Sequence, residues 1–417
     1  MPKQRHWTYW PSIILATWGG LFLIYGWKST QYMLDLYDEA AMAMLDGAST
    51  NLPPAMAYPP LLVATYIPFS ELSESFQRVA MLGVMAAILV FVFSTIQSMI
   101  VGKQTTKSTV VFWVLIALVA GRYISSPIEN YSNDLLVAGI LVLAIRLWAS
   151  GRELWGGCTI GIATACKATP LLFLPFLLLQ RRWIAAIAMF VVTIIAFELP
   201  DIFFARDSGS WGGYWISLVM NSLTHGSEGQ VVTHWSSWNQ LNQSLAGTIT
   251  RLFSYASPSN IDGVHVCIAE LPQSTIRILI FIARLLVFGI LVLALYKPSK
   301  SPIAIRRFSE GAILVCGMLL LSPMSSKAHF FILLLPVAIM IRFYLWEKKD
   351  KLVVTALIGM FLIGTLTSKG ILGKEAGRFI LATGSVTWCT VLAMLGTWRV
   401  MWLRQSSSDS SSLSNRQ

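Results

Sequence analysis

A chain of 417 residues that is 55% apolar and only 12% charged is not an ordinary soluble protein, in which about a quarter of the residues are charged. Its net charge of +11, from 31 Lys and Arg against 20 Asp and Glu, fits the basic cytoplasmic loops of a multispanning membrane protein, and nucleic acid is set aside as a partner. Length alone would allow two or three soluble domains, but apolar runs of bilayer length favour a single multispanning domain over 1–404.

The amino terminus, MPKQRHW, is basic and leads into an apolar run without a small-residue cleavage site. It reads as a retained first helix with its amino end in the cytoplasm. Apolar segments then fall near 10–27, 58–71, 77–101, 109–124, 134–150, 155–180, 183–199, 273–296, 310–322, 329–344, 352–367 and 379–397. Each is expected to be helical, because a helix satisfies its own backbone in lipid and the runs are too long for barrel strands. The expected fold is an all-α polytopic membrane protein with about twelve transmembrane helices.

Lys and Arg in short loops give the orientation. KPSKSPIAIRR, EKKDK, QRRW and RVMWLRQ are placed in the cytoplasm. On the twelve-span count GKQTTK falls outside, while SELSES and 122–134 fall inside. Pro170 should break the segment 155–180. Two long loops, 28–57 and 200–272, fall on the extracytoplasmic side, and the length of the second implies a function. The tail 405–417, QSSSDSSSLSNRQ, is polar and low in complexity, and is expected to be disordered and cytoplasmic.

In LDLYDEAAMAMLDG (34–47), Leu34, Tyr37, Ala41 and Leu45 share one helical face and Asp35, Asp38, Glu39 and Asp46 lie across from it. This could be an interfacial helix with its acids in water. It could also set a carboxylate over a cavity at the membrane surface, where Asp35 or Asp38 acts as general base on a hydroxyl. Lys167 is a cation within an apolar run, and such a group either snorkels or meets an anion such as lipid phosphate. In WSSWNQLNQSLAGTITRL (235–252), the amides of Asn239, Asn242 and Gln243 suit sugar hydroxyls and Arg251 suits phosphate, unless they anchor the loop itself. Tyr58, in the rigid YPP that follows the first loop, joins the amides as a sugar or acceptor contact. Lys327 and His329, between two spans, are further phosphate candidates. The island RYISSPIENYSND (122–134), with Glu129, Asn130 and Asp134, has no assigned role. The five cysteines are scattered, and no phosphate-binding glycine loop, HExxH, GxSxG or Cys/His cluster is present. Nucleotide hydrolysis and zinc chemistry are therefore not expected, and no cofactor or metal is.

DLYDEAAMAMLDG, YPPLLVATYIP, KATPLLFLPFLLLQRRW, WNQLNQSLAGTITRL and LLLSPMSSKAHFFILLLP stand in the order seen in glycosyltransferase family 87, and the chain resembles that family over about 10–345. The resemblance implies a C-superfamily, polyprenol-phosphate-mannose-dependent mannosyltransferase. Its donor would be a polyprenyl-phosphate sugar, its acceptor an extracytoplasmic lipid or glycan, and its site the outer face of the plasma membrane. The family's base is an aspartate in the first outer loop, which falls on Asp35. The family spaces it four residues before the tyrosine, where this chain has Met33, so Asp35 and Asp38 both stand as candidates. The usual double histidine is His329 alone, and the expected glycine-glutamine-asparagine segment is replaced by IENYSND. A transporter or lipid flippase is the alternative from another class, and it should show two similar halves around a central pathway.

Overall fold

The computed structural model describes residues 20, 24, 26–27, 32–224, 236–255, 264–296 and 303–414. Among these there are helices and loops and no strand. In chain order the helices are α1 (Tyr32–Leu45), α2 (Pro60–Ala64), α3 (Ile67–Ser70), α4 (Glu74–Ile96), α5 (Thr106–Glu129), α6 (Asp134–Ala149), α7 (Glu153–Cys166), α8 (Phe173–Leu179) and α9 (Trp183–Phe203). They continue with α10 (Trp211–Thr224), α11 (Leu245–Phe253), α12 (Gln273–Tyr296), α13 (Ile303–Leu321), α14 (Leu334–Trp346), α15 (Lys351–Gly359), α16 (Lys369–Leu372), α17 (Lys374–Ala382) and α18 (Ser385–Ser414).

Six helices among the described residues are long and apolar enough to cross a bilayer: Glu74–Val101, Thr106–Glu129, Trp183–Phe203, Gln273–Tyr296, Lys327–Trp346 and Ser385–Gln405. The chain is an all-α polytopic membrane protein. Most of the expected first span, 10–27, lies outside the described residues. The last helix runs to Ser414, so the backbone of 405–414 is helical where the composition suggested disorder.

Close helix contact follows the small residues. Gly157 and Gly161, one turn apart on α7, face α9, and a Cβ on Gly161 would come within 2.7 Å of the Met189 carbonyl oxygen. Without a hydrophobic drive between helices in lipid, such small-residue faces let dispersion act at short range.

Polar side chains separate into two ends. At one end Arg307 pairs with Glu310 (2.7 Å), Arg404 with Glu347 (2.8 Å) and Arg399 with Asp350 (2.9 Å). Arg182 pairs there with Glu153 and lies 4.2 Å from the Trp148 ring centroid, which Arg307 also approaches at 5.2 Å. Arg342 donates to the Ile100 carbonyl, which brings the end of the α4 span to the same place. Asp134 starts α6 and Trp148 nearly ends it. About 1.5 Å of rise per residue therefore puts Asp134 some 20 Å away, at the other end.

This arrangement corrects the expected span at 58–71, carries through the expected break in 155–180, and changes the expected sides of three loops. The segment 58–71 is two short helices, α2 and α3, because Pro59, Pro60 and Pro68 interrupt it, and it is shorter than a bilayer-spanning helix. The segment 155–180 divides at Lys167, which leaves the helix in an extended conformation (φ −159°, ψ 123°) three residues before Pro170. With both changes, GKQTTK moves to the basic end, and SELSES and 122–134 move to the opposite end. The long loops also meet there. Asp207 N–H donates to the Gly47 carbonyl (2.9 Å) and Trp215 Nε1–H to the Ala57 carbonyl (2.7 Å). Gly47 itself sits at φ 67° with the Ala205 carbonyl 2.8 Å from where a Cβ would be, a position that only glycine fills without strain.

Candidate active site

Asp134, the first residue of α6, is 6% exposed. Lys167 Nζ donates to its Oδ1, the Ser132 hydroxyl donates to its Oδ2 at 2.8 Å, and His329 Nδ1 lies 3.2 Å from Oδ2. Three elements supply this cluster: the turn into α6, the broken end of α7, and the start of a 3-10 turn, Lys327–Leu333, with Ser326 and His329, that leads into α14. His329 Nδ1 accepts the Ser326 N–H at 3.0 Å and lies 2.7 Å from the Ser326 hydroxyl. That fixes the proton of the neutral ring on Nε2. Lys167, Thr169, Ser322, Ser325 and His329 line, with Asp134, a narrow cavity. Two of the expected phosphate residues, Lys167 and His329, are thus brought together by a carboxylate to which the sequence reading gave no role. The signal was present in the sequence: an ionisable residue opening one apolar run, and another interrupting a second, are expected to pair. The twelve-span count had instead put 122–134 in the cytoplasm and Lys167 in the middle of a span.

Beside Asp134 stands a group of tyrosines. Tyr37 of α1 stacks on Tyr66 (centroids 4.3 Å apart, 25° between planes) and meets Tyr58 edge-on at 5.8 Å. Burial, followed by the negative charge of Asp134, pushes the Tyr58 phenol up to about 12. Burial likewise raises Tyr37 well above its ordinary value, with Asp134 among the contributing charges.

The loop acids separate clearly. Leu34, Tyr37, Ala40, Ala41 and Met44 form the buried face of α1, and Asp35, Glu39 and Asp46 are exposed. Asp38 is half-buried, accepts from Gln77 Nε2 at 3.4 Å and lines a second, small cavity with Tyr66 and Gln77. Partial burial raises its carboxyl above the usual range. Asp35 and Glu39 add to the rise, and Gln77 opposes it. Of the two candidate acids, Asp38 is the one that lines a cavity, and Asp35 is exposed.

Arg251 is not at the cavity. It is 3% exposed. Its Nε donates to the Ala382 carbonyl (2.8 Å) and its Nη1 to the carbonyls of Ser237, Asn239 and Asn242 (3.0, 3.0 and 2.7 Å). A guanidinium filled by four carbonyls has little left for phosphate. The amides are engaged in the same way. Asn239 Oδ1 accepts the Leu241 N–H and Asn242 Oδ1 the Ser244 N–H. Gln243 Nε2 donates to the carbonyls of Gln240 and Leu381, and its Oε1 accepts the Val386 N–H. The segment anchors a loop to α17 and α18, and through Gln243 N–H to the Ser325 carbonyl (2.7 Å) it supports the turn that carries His329. Lys327, half-buried, makes no ion pair among the described residues. Arg122, Lys369 and Glu129 are its charged neighbours.

A sequence model of glycosyltransferase family 87 matches residues 57–323. The chain is 25% identical over 289 residues to the polyprenol-phosphate-mannose-dependent alpha-(1-2)-phosphatidylinositol mannoside mannosyltransferase of Mycolicibacterium smegmatis (strain ATCC 700084 / mc(2)155), covering 63% of this chain and 62% of that protein. It thus spans less than two thirds of the length of the curated relative it matches. Among solved structures it is similar to ArnT from Cupriavidus metallidurans bound to undecaprenyl phosphate, at a TM-score of 0.41 and 13% identity over 98% of this chain and 79% of that one.

Proposed function

The chain belongs to glycosyltransferase family 87, and from that premise we propose that it moves mannose from a polyprenyl-phosphate donor to a lipid or glycan acceptor on the outer face of the plasma membrane, inverting the anomeric carbon. It is a multi-pass membrane glycosyltransferase. The name of the Mycolicibacterium relative supports both the polyprenyl-phosphate donor and the mannose.

The observation that carries the reading is the convergence of Lys167 and His329 on Asp134 at a cavity wall. A phosphodiester brings one negative charge. It would meet the ammonium of Lys167 and the Nε2–H of the neutral His329, whose Nδ1 is held by the Ser326 N–H. Asp134 is a positioning residue here, because it holds Lys167 beside His329 without touching the reacting atoms.

Tyr66 lines both the tyrosine pocket and the cavity of Asp38. The base and the leaving group would then flank the sugar, as direct displacement requires. The acceptor oxygen forms a bond to the anomeric carbon, and its proton goes to Asp38. The bond from that carbon to the phosphate oxygen breaks, and polyprenyl phosphate leaves with the electron pair. Lys167 and His329 stabilise the charge that grows on that oxygen.

The test is to incubate the purified protein with radiolabelled polyprenyl-phosphate mannose and a membrane extract and to identify the labelled product. A mannosylated lipid or glycan is expected, and its formation should fall at least a hundredfold in Lys167→Gln and His329→Gln. Transport of donor without transfer would overturn the proposal.

A further inference from the structure

The Asp134 end of the bundle carries a second group of charges, and most of them are positive. Lys369 begins α16 and Lys374 begins α17, with Arg378 about one turn further on. Gly373 joins the two helices at φ 83°. A Cβ on Gly377 would stand 2.8 Å from both Cα and Cγ of Lys369, so α17 folds back directly onto α16. Arg122 of α5, whose Nη1 donates to the Gly364 carbonyl, is a charged neighbour of both Lys327 and Lys369, and Arg378 and Lys374 are further neighbours of Lys369. The acid among those neighbours is Glu129, the last residue of α5. Glu375, beside Lys374, is exposed. Among the described residues none of the five cations is in an ion pair, and the Arg378 Nε is buried without a hydrogen-bond partner. None of the five lines the Asp134 cavity.

Cations gathered without carboxylates repel one another and attract an anion. Burial lowers the Lys369 ammonium below its ordinary range, Arg378, Lys374 and Arg122 lower it further, and Glu129 opposes them. The positive-inside rule accounts for cations at the basic end of the bundle, and these lie at the other end. Two features tell which anion fits. First, α16 and α17 are four and nine residues long, too short to cross a bilayer, yet their Ile371, Leu372 and Phe379 are exposed. Exposed apolar side chains interleaved with cations mark a helix lying in the membrane surface. Second, the cations stand at different depths. Lys374 is exposed, whereas Arg122 lies about two turns inside the end of α5. A headgroup at the membrane boundary spans that range. A zwitterionic headgroup carries its own ammonium beside the phosphate, so it brings no net charge, and an anionic one does.

We infer that Arg122, Lys327, Lys369, Lys374 and Arg378 hold the phosphate of an anionic phospholipid in the leaflet at the Asp134 end, with its chains over Ile371, Leu372 and Phe379. The inference goes beyond the transfer reaction and depends on neither the donor nor the sugar proposed above. Lys327 opens the 3-10 turn that carries His329, so a lipid seated here braces that turn from outside the cavity.

Binding is measured by native mass spectrometry of the full chain in neutral detergent, titrated with phosphatidylglycerol or with phosphatidylcholine of the same acyl chains. The tightest phosphatidylglycerol should be held about tenfold or more above phosphatidylcholine, since several cations contribute. Lys369→Gln, Lys374→Gln and Arg378→Gln should each weaken it about fivefold, the effect of one cation at an anionic lipid surface. Lys369→Arg keeps the charge and should bind as the wild type does. Each Gln variant removes a repelling cation, so its melting temperature without added lipid should hold or rise. Lys348→Gln and Lys349→Gln, at the basic end, control for general attraction and should leave the tightest lipid in place. Equal affinity for the two lipids, or equal loss in the basic-end variants, would overturn the site. Displacement of the lipid by inorganic phosphate at equal concentration would make it a site for a soluble anion and overturn the lipid assignment. Decaprenyl methyl phosphate, a sugar-free diester of the same charge as the donor, is the last probe. If the three Gln variants weaken it and spare phosphatidylglycerol, the cluster belongs to the donor and the separate lipid site is overturned.

Discussion

The Nδ1 of His329 lies 3.2 Å from Asp134 Oδ2 while Lys167 donates to Oδ1, so one carboxylate ties three distant parts of the chain to a single point. Removing one partner of a buried pair leaves the other charge uncompensated, at about 3–5 kcal/mol. Asp134→Asn and Lys167→Met should each destabilise the protein by that order in denaturant titration in detergent. The double variant should lose less than the sum, because neither charge is then stranded. Strict additivity would mean that the pair is not coupled.

Asp38→Asn should lower turnover about a hundred- to ten-thousandfold, the range for a lost general base, with donor affinity nearly unchanged. Asp35→Asn should keep most of the activity, since its side chain is exposed. Single-turnover rates and donor binding for the two variants decide between them, and full activity in both would end the general-base role of this helix.

The same site predicts a pH dependence. Asp38 works as a base only when ionised, and burial raises its carboxyl above the ordinary range, with Asp35 and Glu39 adding to the effect. Turnover should therefore be complete above that raised value and fall as pH drops through it. Asp35→Asn removes one repelling charge and should move the acid limb to lower pH. Gln77→Met removes the donor that favours the ionised form and should move it higher. Shifts of opposite sign, read from pH–rate profiles, would exclude Asp38 as the titrating group.

Much of this was legible in the sequence, and the remainder failed for physical reasons. Apolar runs announced the helices because lipid leaves a spanning chain little other choice. Lys167 and His329 were visible as polar residues among apolar ones. Asp134 was visible too, but its partners are set by which end of the bundle each residue reaches, and two errors in counting spans reversed that. Pro59, Pro60 and Pro68 left 58–71 as pieces shorter than a bilayer-spanning helix, although its composition is as apolar as a span. Arg251 and Gln243 misled in another way. Residue type gave their capacity to bind phosphate or sugar, but the backbone carbonyls that take up this capacity come from loops and from α17, and sequence spacing does not foretell them.

Arg251 gives a separate stability prediction. Burial lowers its guanidinium to about 10, so it stays charged near neutral pH while donating to four carbonyls. Arg251→Met would leave those carbonyls buried and unpaired, at about 1–3 kcal/mol for each that finds no other partner. The melting temperature should drop markedly, while donor affinity per folded molecule, measured at low temperature, should be preserved. A stable Arg251→Met protein that no longer binds donor would return Arg251 to the phosphate site.

The arrangement of ends makes the last prediction, and it separates two topologies that the sequence alone could not. If the basic end faces the cytoplasm, as the positive-inside rule requires, then Lys103, Arg152 and Lys348 lie inside, and Glu71 and Asn130 lie outside with the active site. All five are exposed, so each can be labelled without disturbing packing. In a background with Cys158, Cys166, Cys267, Cys316 and Cys389 replaced, Glu71→Cys and Asn130→Cys should react with a membrane-impermeant maleimide in intact cells. Lys103→Cys, Arg152→Cys and Lys348→Cys should react only after permeabilisation. The count that treats 58–71 as a span and 155–180 as one helix predicts the reverse for Lys103, Arg152, Glu71 and Asn130. Labelling of Asn130→Cys together with Lys348→Cys would put Asp134 on the cytoplasmic side. The long loops 28–57 and 200–272 would go with it, since they meet at the Asp134 end, and an outward-facing transferase site would then be impossible.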